Sequence, residues 1–330
     1  RTADLLEQVR AALADRYDVQ RQVGQGGMAT VYLARDRVHQ RDVAVKVLRP
    51  ELSASIGADR FLREIRVANQ LRHRNILGLY ESGEIGDLLY FTMPFVVGES
   101  LRDRLERETQ LPLADALEIT RQVAAALDFA CQQGIIHRDI KPENILLQNG
   151  IALVADFGIA RAVSEAGGEK LTQTGIVVGT PVYMSPEQAA GDRIDGRADE
   201  YSLACVLYEM LVGQPPFSGS TPVTLMARHS LEVVPSAQLV RETIPDVVED
   251  VMMRALAKAP ADRFPSARAM AAALEGAENA PATGRRRSGA RRRPRRRWLL
   301  PAGVAAVAVF AALGAWWMLG RRRPLAPTGP

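Results

Sequence analysis

Two cysteines in 330 residues, Cys131 and Cys205, are too few for a disulfide framework and point to a reducing compartment. Both stand in apolar runs of helical period, so both are expected as buried core thiols. No internal repeat is visible, which excludes a solenoid or propeller. Acidic residues are missing altogether from 281 to 330, where twelve Arg fall. With a net charge of +4 overall, residues 1–280 therefore carry −8, so an acidic body precedes a strongly basic tail. At 47% hydrophobic and 24% charged the chain is no disordered protein, and its length suits one two-lobed unit or two ordinary domains.

What is present is a polar run, His137-Arg138-Asp139-Ile140-Lys141-Pro142-Glu143-Asn144, followed twelve residues after Asn144 by Asp156-Phe157-Gly158. Ile135-Ile136 lead into the first run, Ile145-Leu146-Leu147 follow it, and Ile151 to Ala155 enter the second. This pattern reads as short strands bracketing an exposed loop whose polar residues stand clear of an apolar floor. Phosphoryl transfer asks little covalent work of a protein. It needs a carboxylate to orient the attacking hydroxyl and oxygen ligands for Mg²⁺ that neutralise charge on the phosphates. Asp139, Asn144 and Asp156 meet that need.

From these runs outward the chain resembles the protein kinase superfamily, from about Tyr17 to Leu274, with each landmark in the family's order. Gly24-Gln25-Gly26-Gly27-Met28-Ala29-Thr30-Val31 looks like the glycine-rich loop, Val43-Ala44-Val45-Lys46 like the lysine strand, and Glu64 like the helix C glutamate. Thr180-Pro181-Val182-Tyr183-Met184-Ser185-Pro186-Glu187 resembles the end of an activation segment, Asp199 the head of helix F, and Arg263 the partner of Glu187. The glycine run alone would be compatible with an ordinary hairpin turn; eight ordered landmarks are not a chance set. The fold implied is α+β, a two-lobed protein kinase fold. A small lobe of antiparallel sheet plus helix C would span about 17–93, and a mainly helical large lobe about 97–275.

The resemblance implies roles residue by residue. Asp139 would act as base, Lys141 would steady the γ-phosphate, and Lys46, oriented by Glu64, would hold the α and β phosphates. Asn144 and Asp156 would hold Mg²⁺, or Mn²⁺ in its place. ATP would lie between Gly24, Gln25, Gly26, Gly27, Val31 and Ala44 on one side and the hinge residues Met93, Pro94 and Val96 on the other. Ala29 stands where the family has its third glycine. Pro94 is a further departure, but a proline keeps its C=O, so the acceptor at 94 and the donor at Val96 both survive. Lys141 places the loop with the Ser/Thr branch. Arg138 would meet phosphate on Thr172 or Thr174, a pair resembling the autophosphorylation sites of bacterial membrane kinases, while Thr180 would contact the catalytic loop. His137 and Phe157 are expected as packing posts without chemistry.

Outside that span, apolar residues at helical spacing predict an amphipathic helix within residues 1–16 that packs on the small lobe. After it, helical period appears over 58–71, 113–132, 199–212, 223–230, 246–257 and 266–275. Residues 276–297 form an Arg-rich linker, and Trp298 to Gly320 is 23 residues without a charge, close to the ~20 a membrane-spanning helix requires. All three Trp mark its ends, and nine Arg precede it against three after. That bias predicts a single-pass membrane protein with a cytoplasmic kinase portion and a short extracytoplasmic tail at 321–330. No cleavable secretory signal is visible at the first residues.

The Arg runs suit an anionic inner leaflet rather than nucleic acid, for which no role is expected. The expected partners are protein substrates bearing Ser or Thr, membrane lipid, and a second copy for trans phosphorylation. The alternative reading is a membrane-tethered pseudokinase scaffold, but Lys46, Asp139 and Asp156, of which such proteins typically lack at least one, are all present. A small-molecule phosphotransferase of related fold would not need the segment Thr180 to Glu187. A receptor with an outer sensor would need more than ten residues beyond the span.

Overall fold

β-Branched and aliphatic residues recur from Tyr17 to Leu48, and that stretch forms β1 (Tyr17–Gln25), β2 (Ala29–Asp36) and β3 (Arg41–Leu48). The computed structural model describes residues 2–158 and 181–278. With β4 (Glu81–Ile85) and β5 (Leu88–Pro94), these strands make an antiparallel sheet of order β1-β2-β3-β5-β4. Its register pairs Val31 with Lys46 and Ala44 with Met93, which brings the glycine run, the lysine strand and the hinge side by side.

Both faces of this sheet are covered. Helix α1 (Thr2–Leu13) lies over one, where Val9 and Leu13 join Tyr17, Tyr32, Val43, Val45 and Leu88 in a separate apolar cluster. Arg10 fastens it by donating from Nε to the carbonyl of Val19 at 2.9 Å and from Nη2 to that of Gln20 at 2.5 Å. The expected packing role of the N-terminal helix is the one observed. The opposite face meets α3 (Ala58–Ala68), whose Phe61, Ile65 and Ala68 sink into the main core. α3 stops three residues short of the periodic stretch, because Gln70 and Leu71 turn their N–H groups to the carbonyls of Val67 and Ala68. A short α2 (Pro50–Ile56), which the periodicity did not reveal, precedes it; Pro50 opens this helix and Gly57 closes it at φ 75°.

The large lobe begins with β6 (Glu99–Ser100), α4 (Leu101–Glu108) and α5 (Leu113–Gln132), followed by β7 (Ile145–Gln148) and β8 (Ile151–Val154). β6, β7 and β8 form a second antiparallel sheet. Gly98 is required where β6 arrives, since a Cβ there would stand 2.1 Å from the carbonyl oxygen of Leu147. After α6 (Pro186–Ala190) comes α7 (Gly196–Val212), buried on all sides from Ala198 onward and hence the post around which α5, α9 (Asp246–Ala255) and α10 (Ala267–Glu278) gather. α8 (Pro222–Leu231) lies against α6.

Helices appear at every predicted large-lobe position. Cys205 is buried in α7, but Cys131 is exposed in the last turn of α5, where the buried stripe is carried by Leu127 and Ala130 instead. Thr172, Thr174, Thr180, the span at 298–320 and the tail lie outside the described residues, as does the linker from 279 onward. Among the described residues no helix is long and apolar enough to cross a membrane.

Glu200 gives the core a pH dependence. Its side chain is wholly buried in α7; Oε1 accepts the N–H of Phe264 at 3.0 Å and Oε2 has no hydrogen bond among the described residues. Burial pushes its carboxyl up to about 7. A carboxyl raised on folding supplies stability below its unfolded value, and that stability is lost as pH rises through the folded one. Urea titrations from pH 4 to 8 should therefore show Glu200→Gln gaining on the wild type between about 4.5 and 7. A difference that does not change with pH would overturn this assignment.

Candidate phosphotransfer site

The site is built from a hairpin, two strands and two loops. The tip of the β1–β2 hairpin is closed by the N–H of Gly26 donating to the carbonyl of Ala29 at 2.9 Å, and Arg49 holds the Gly26 carbonyl at 2.9 Å. No atom lies within 4 Å of a Cβ placed on Gly27, so the backbone there faces open space. Gly24 and Gln25 pair with Val31 and Thr30, and Val31 and Ala44 point toward the core beneath the tip. Met93 is buried next to Ala44, Pro94 ends β5 opposite Val43, and Val96 follows half-buried.

Lys46 sits in mid-strand, and its ammonium forms an ion pair with Oδ2 of Asp156. This corrects one expectation: Lys46 pairs with Asp156 rather than with Glu64, which lies buried on α3. The Asp156–Gly158 turn accounts for it. Asp156 takes φ 68° and Gly158 φ 85°, which lays the turn against α3 and carries the carboxylate to the lysine. A Cβ on Gly158 would stand 3.0 Å from that of Ala68 and 3.3 Å from the Glu64 carbonyl oxygen, so only glycine fits. Oδ1 of Asp156 is buried and has no hydrogen bond among the described residues. An orphaned carboxylate oxygen suits a hard cation, and Asn144 supplies an amide oxygen from the other loop.

The polar run folds as a tight loop held from below. Asp199, on the first turn of α7, accepts the N–H of His137 at 2.7 Å and that of Arg138 at 2.8 Å, which secures Arg138 at φ 70°. Burial pushes the Asp199 carboxyl up, against the pull of those donors and of the nearby His137 and Arg138 side chains. His137 is buried, stacks edge-on to Phe157 at 4.6 Å, shares 2.8 Å with the carbonyl oxygen of Ala155 and accepts the Asp139 N–H on Nδ1. It is the packing post expected, with a hydrogen-bonding duty added.

Around Asp139 the geometry is asymmetric. Lys141 Nζ meets Oδ2 at 2.7 Å and Asn144 Nδ2 meets the same oxygen at 3.2 Å, as well as the Asp139 carbonyl at 2.8 Å. Oδ1 of Asp139 is thereby left with no hydrogen bond among the described residues, and a substrate hydroxyl could donate to it. Asn144 spends its amide nitrogen on Asp139, so its Oδ1 faces elsewhere.

Glu187 and Arg263 meet as expected. Both pairs of contacts are 2.7 Å, and Arg263 also donates to the carbonyls of Ala257, Lys258 and Arg197. Reading the sequence missed Arg102, Glu143, Tyr183, Gln188 and Glu209, which form a second set of bonds around the same loop. The only signal was Ser100-Leu101-Arg102-Asp103, a capping box that marks the start of α4 but not what Arg102 reaches.

The family model for the protein kinase domain matches residues 17–274. Serine/threonine-protein kinase PknB of Mycobacterium tuberculosis is 44% identical over 270 residues, which are 79% of this chain and 43% of that protein. Serine/threonine-protein kinase PrkC of Bacillus subtilis is 38% identical over 270 residues, 81% of this chain and 41% of its own length. The chain thus spans less than half the length of these relatives. A crystal structure of Rad53 residues 1–466 in complex with AMP-PNP superposes with a TM-score of 0.66 at 27% identity, covering 81% of this chain and 67% of that one.

Proposed function

The chain belongs to the protein kinase family, and on that premise we propose that it transfers the γ-phosphate of ATP to Ser or Thr hydroxyls of proteins. One observation carries the reading: Asp139 has two donors on one carboxylate oxygen and leaves the other open, while Lys46 and Asp156 meet across the cleft. In this role Asp139 orients the hydroxyl and takes its proton through Oδ1, and Lys141, already at 2.7 Å from Asp139, shares its charge with the incoming phosphate. Lys46 holds phosphate oxygens, and the Gly24–Gly27 backbone offers its N–H groups to them. Asn144 and Asp156 would hold Mg²⁺, which when bound neutralises phosphate charge. The ammonium of Lys141 in the loop, like the PknB and PrkC matches, favours Ser/Thr acceptors. Asp139→Asn should lower turnover about 10²- to 10⁴-fold with ATP affinity nearly unchanged, measured by [γ-³²P]ATP transfer. Near wild-type transfer by that variant would remove Asp139 from this role.

The reading extends to regulation. Phosphate on Thr172 or Thr174 would be drawn to Arg138, because a charge-assisted contact offsets the entropy of fixing a loop. The doubly substituted Thr172→Ala, Thr174→Ala protein should be slower than the wild type; unchanged activity, with phosphate mapped elsewhere, would defeat it.

Residues 298–320 are proposed as a membrane span with the kinase on the cytoplasmic side, supported by 23 uncharged residues, terminal Trp and the nine-to-three Arg bias. A single span would bring copies together in the membrane for trans phosphorylation. Alkaline carbonate should leave the full chain in the membrane pellet. Its release into the supernatant would overturn the span, and digestion of the kinase portion in protease-treated intact cells would overturn the orientation.

A further inference from the structure

Arg102 stands in the first turn of α4, three-quarters buried, and spends its guanidinium on three separate parts of the site. Nε donates to Oε1 of Glu143 at 3.1 Å, Nη1 to Oε1 of Glu209 at 2.8 Å, and Nη2 to the hydroxyl of Tyr183 at 2.5 Å. That hydroxyl donates to Oε2 of Glu209 at 2.5 Å, which closes a ring of three side chains, with Glu143 attached through Arg102. Glu209 is buried in α7, and Tyr183 is buried at the end of the Pro181–Tyr183 turn, with its carbonyl held by Ser202 Oγ at 2.7 Å. Glu143 alone is half exposed. It lies in the Pro142–Asn144 turn, between Lys141 and Asn144.

On the other side of Asp139 the same segment makes a second contact. Gln188, fixed by its capping box with Ser185, donates from Nε2 to the carbonyl of Arg138 at 2.9 Å. Residues 181–188 therefore grip the loop at 138 through Gln188 and at 143 through Arg102, with Asp139 between the two points.

We propose that Arg102 is a positioning residue for phosphate transfer, fixing the Glu143 turn, and with it Asn144 and its bonds to Asp139, against residues 181–188. This rests on the phosphotransfer reading above. Without the guanidinium, Glu143 has no tie to α4 and turns to solvent, and the buried Glu209 carboxylate keeps only Tyr183. Lysine is no substitute, because one ammonium on a flexible stem does not reproduce the fixed fork with which three separate guanidinium nitrogens reach Glu143, Glu209 and Tyr183.

The test uses the full chain with Mg-ATP and myelin basic protein as acceptor, recording kcat, KM for ATP and the urea midpoint. It compares the wild type with Arg102→Met, Arg102→Lys, Glu143→Gln and the Arg102→Met, Glu143→Gln double variant. Arg102→Met should lower kcat roughly 10- to 100-fold, the scale set by sub-ångström to ångström misplacement of reacting groups, with KM for ATP unchanged. Arg102→Lys should recover little of it, and the double variant should be no slower than Arg102→Met. Glu143→Gln alters a half-exposed side chain, so it reports on the tie even where Arg102→Met fails to fold. A kcat within twofold of wild type for the folded Arg102→Met or for Glu143→Gln would overturn the proposal. So would losses that multiply in the double variant, or a loss that merely tracks the unfolded fraction. A folded wild type that transfers no phosphate to any acceptor would instead overturn the proposed function itself, and this inference with it.

Discussion

A buried carboxylate on α7 holds the loop from which the rest of the site takes its positions. Asp199 accepts two consecutive backbone N–H groups, and the second of them belongs to Arg138, whose left-handed backbone costs of order 1 kcal/mol for a non-glycine residue. That conformation reverses the chain so that Asp139 emerges on the cleft side while His137 drops into the core. Here His137 Nδ1 receives the N–H of Asp139 and Nε2 reaches the carbonyl oxygen of Ala155, one residue before Asp156. Asp139 and the residue before Asp156 are thus connected through one imidazole, and both trace back to α7. The fully buried position of that helix makes it a rigid reference: fifteen consecutive residues from Ala198 to Val212 have no freedom to adjust.

The same helix supports residues 181–188. Arg263 is completely buried, yet its three nitrogens find the Glu187 carboxylate and three backbone carbonyls, so every donor direction is used. Such a pair is not primarily a source of stability, because desolvating both charges consumes much of the attraction; removing one partner alone typically costs about 3–5 kcal/mol. Its effect is to make the position of Glu187 unambiguous. Gln188 is next in sequence and reaches the Arg138 carbonyl, so the ion pair and the Asp199 bonds fix opposite ends of one short path. Glu200, between Asp199 and Tyr201 in sequence, receives the Phe264 N–H and brings the Arg263 loop against α7 at the same level.

The sequence made the architecture readable wherever a single residue type has one physical use. Glycine at a close approach, a lysine in mid-strand and the polar run on an apolar floor each pointed to their place, and helical period located α5, α7, α8, α9 and α10. What stayed hidden depended on contacts between distant residues. Nothing in the neighbourhood of Arg102 reveals that Glu143, Tyr183 and Glu209 surround it, since they lie 41, 81 and 107 positions away. Lys46 was misjudged for a related reason: sequence identifies both Glu64 and Asp156 as carboxylates, but not which of them the fold brings to the ammonium. Cys131 failed because an apolar run on a helix does not state which face the last turn presents. α2, seven residues long, is too short for periodicity to register.

The two lobes are joined by more than the chain at Val96. Residues 75–77, just before β4, run beside β8: the N–H of Leu77 donates to the Val154 carbonyl and the N–H of Val154 to that of Asn75, both at 2.9 Å. Asn75 also gives its amide to Ala152 O at 2.8 Å and to Gln122 at 2.9 Å, while the same Gln122 oxygen accepts the Ala152 N–H at 2.7 Å. These groups are buried, so breaking them would strand donors and acceptors at 1–3 kcal/mol each. The segment after α3 is therefore fixed to the large lobe as firmly as to its own. Two such attachments, the hinge strand and this one, connect the lobes through the backbone. The Lys46–Asp156 pair is a third link of a different kind, two charges at the cleft with no backbone bond between them. The carboxylate it engages is the one whose other oxygen has no hydrogen bond among the described residues. The ammonium of the small lobe therefore engages one oxygen of the carboxylate whose other oxygen is the one proposed for a cation, so the position of Lys46 bears directly on that of Asp156.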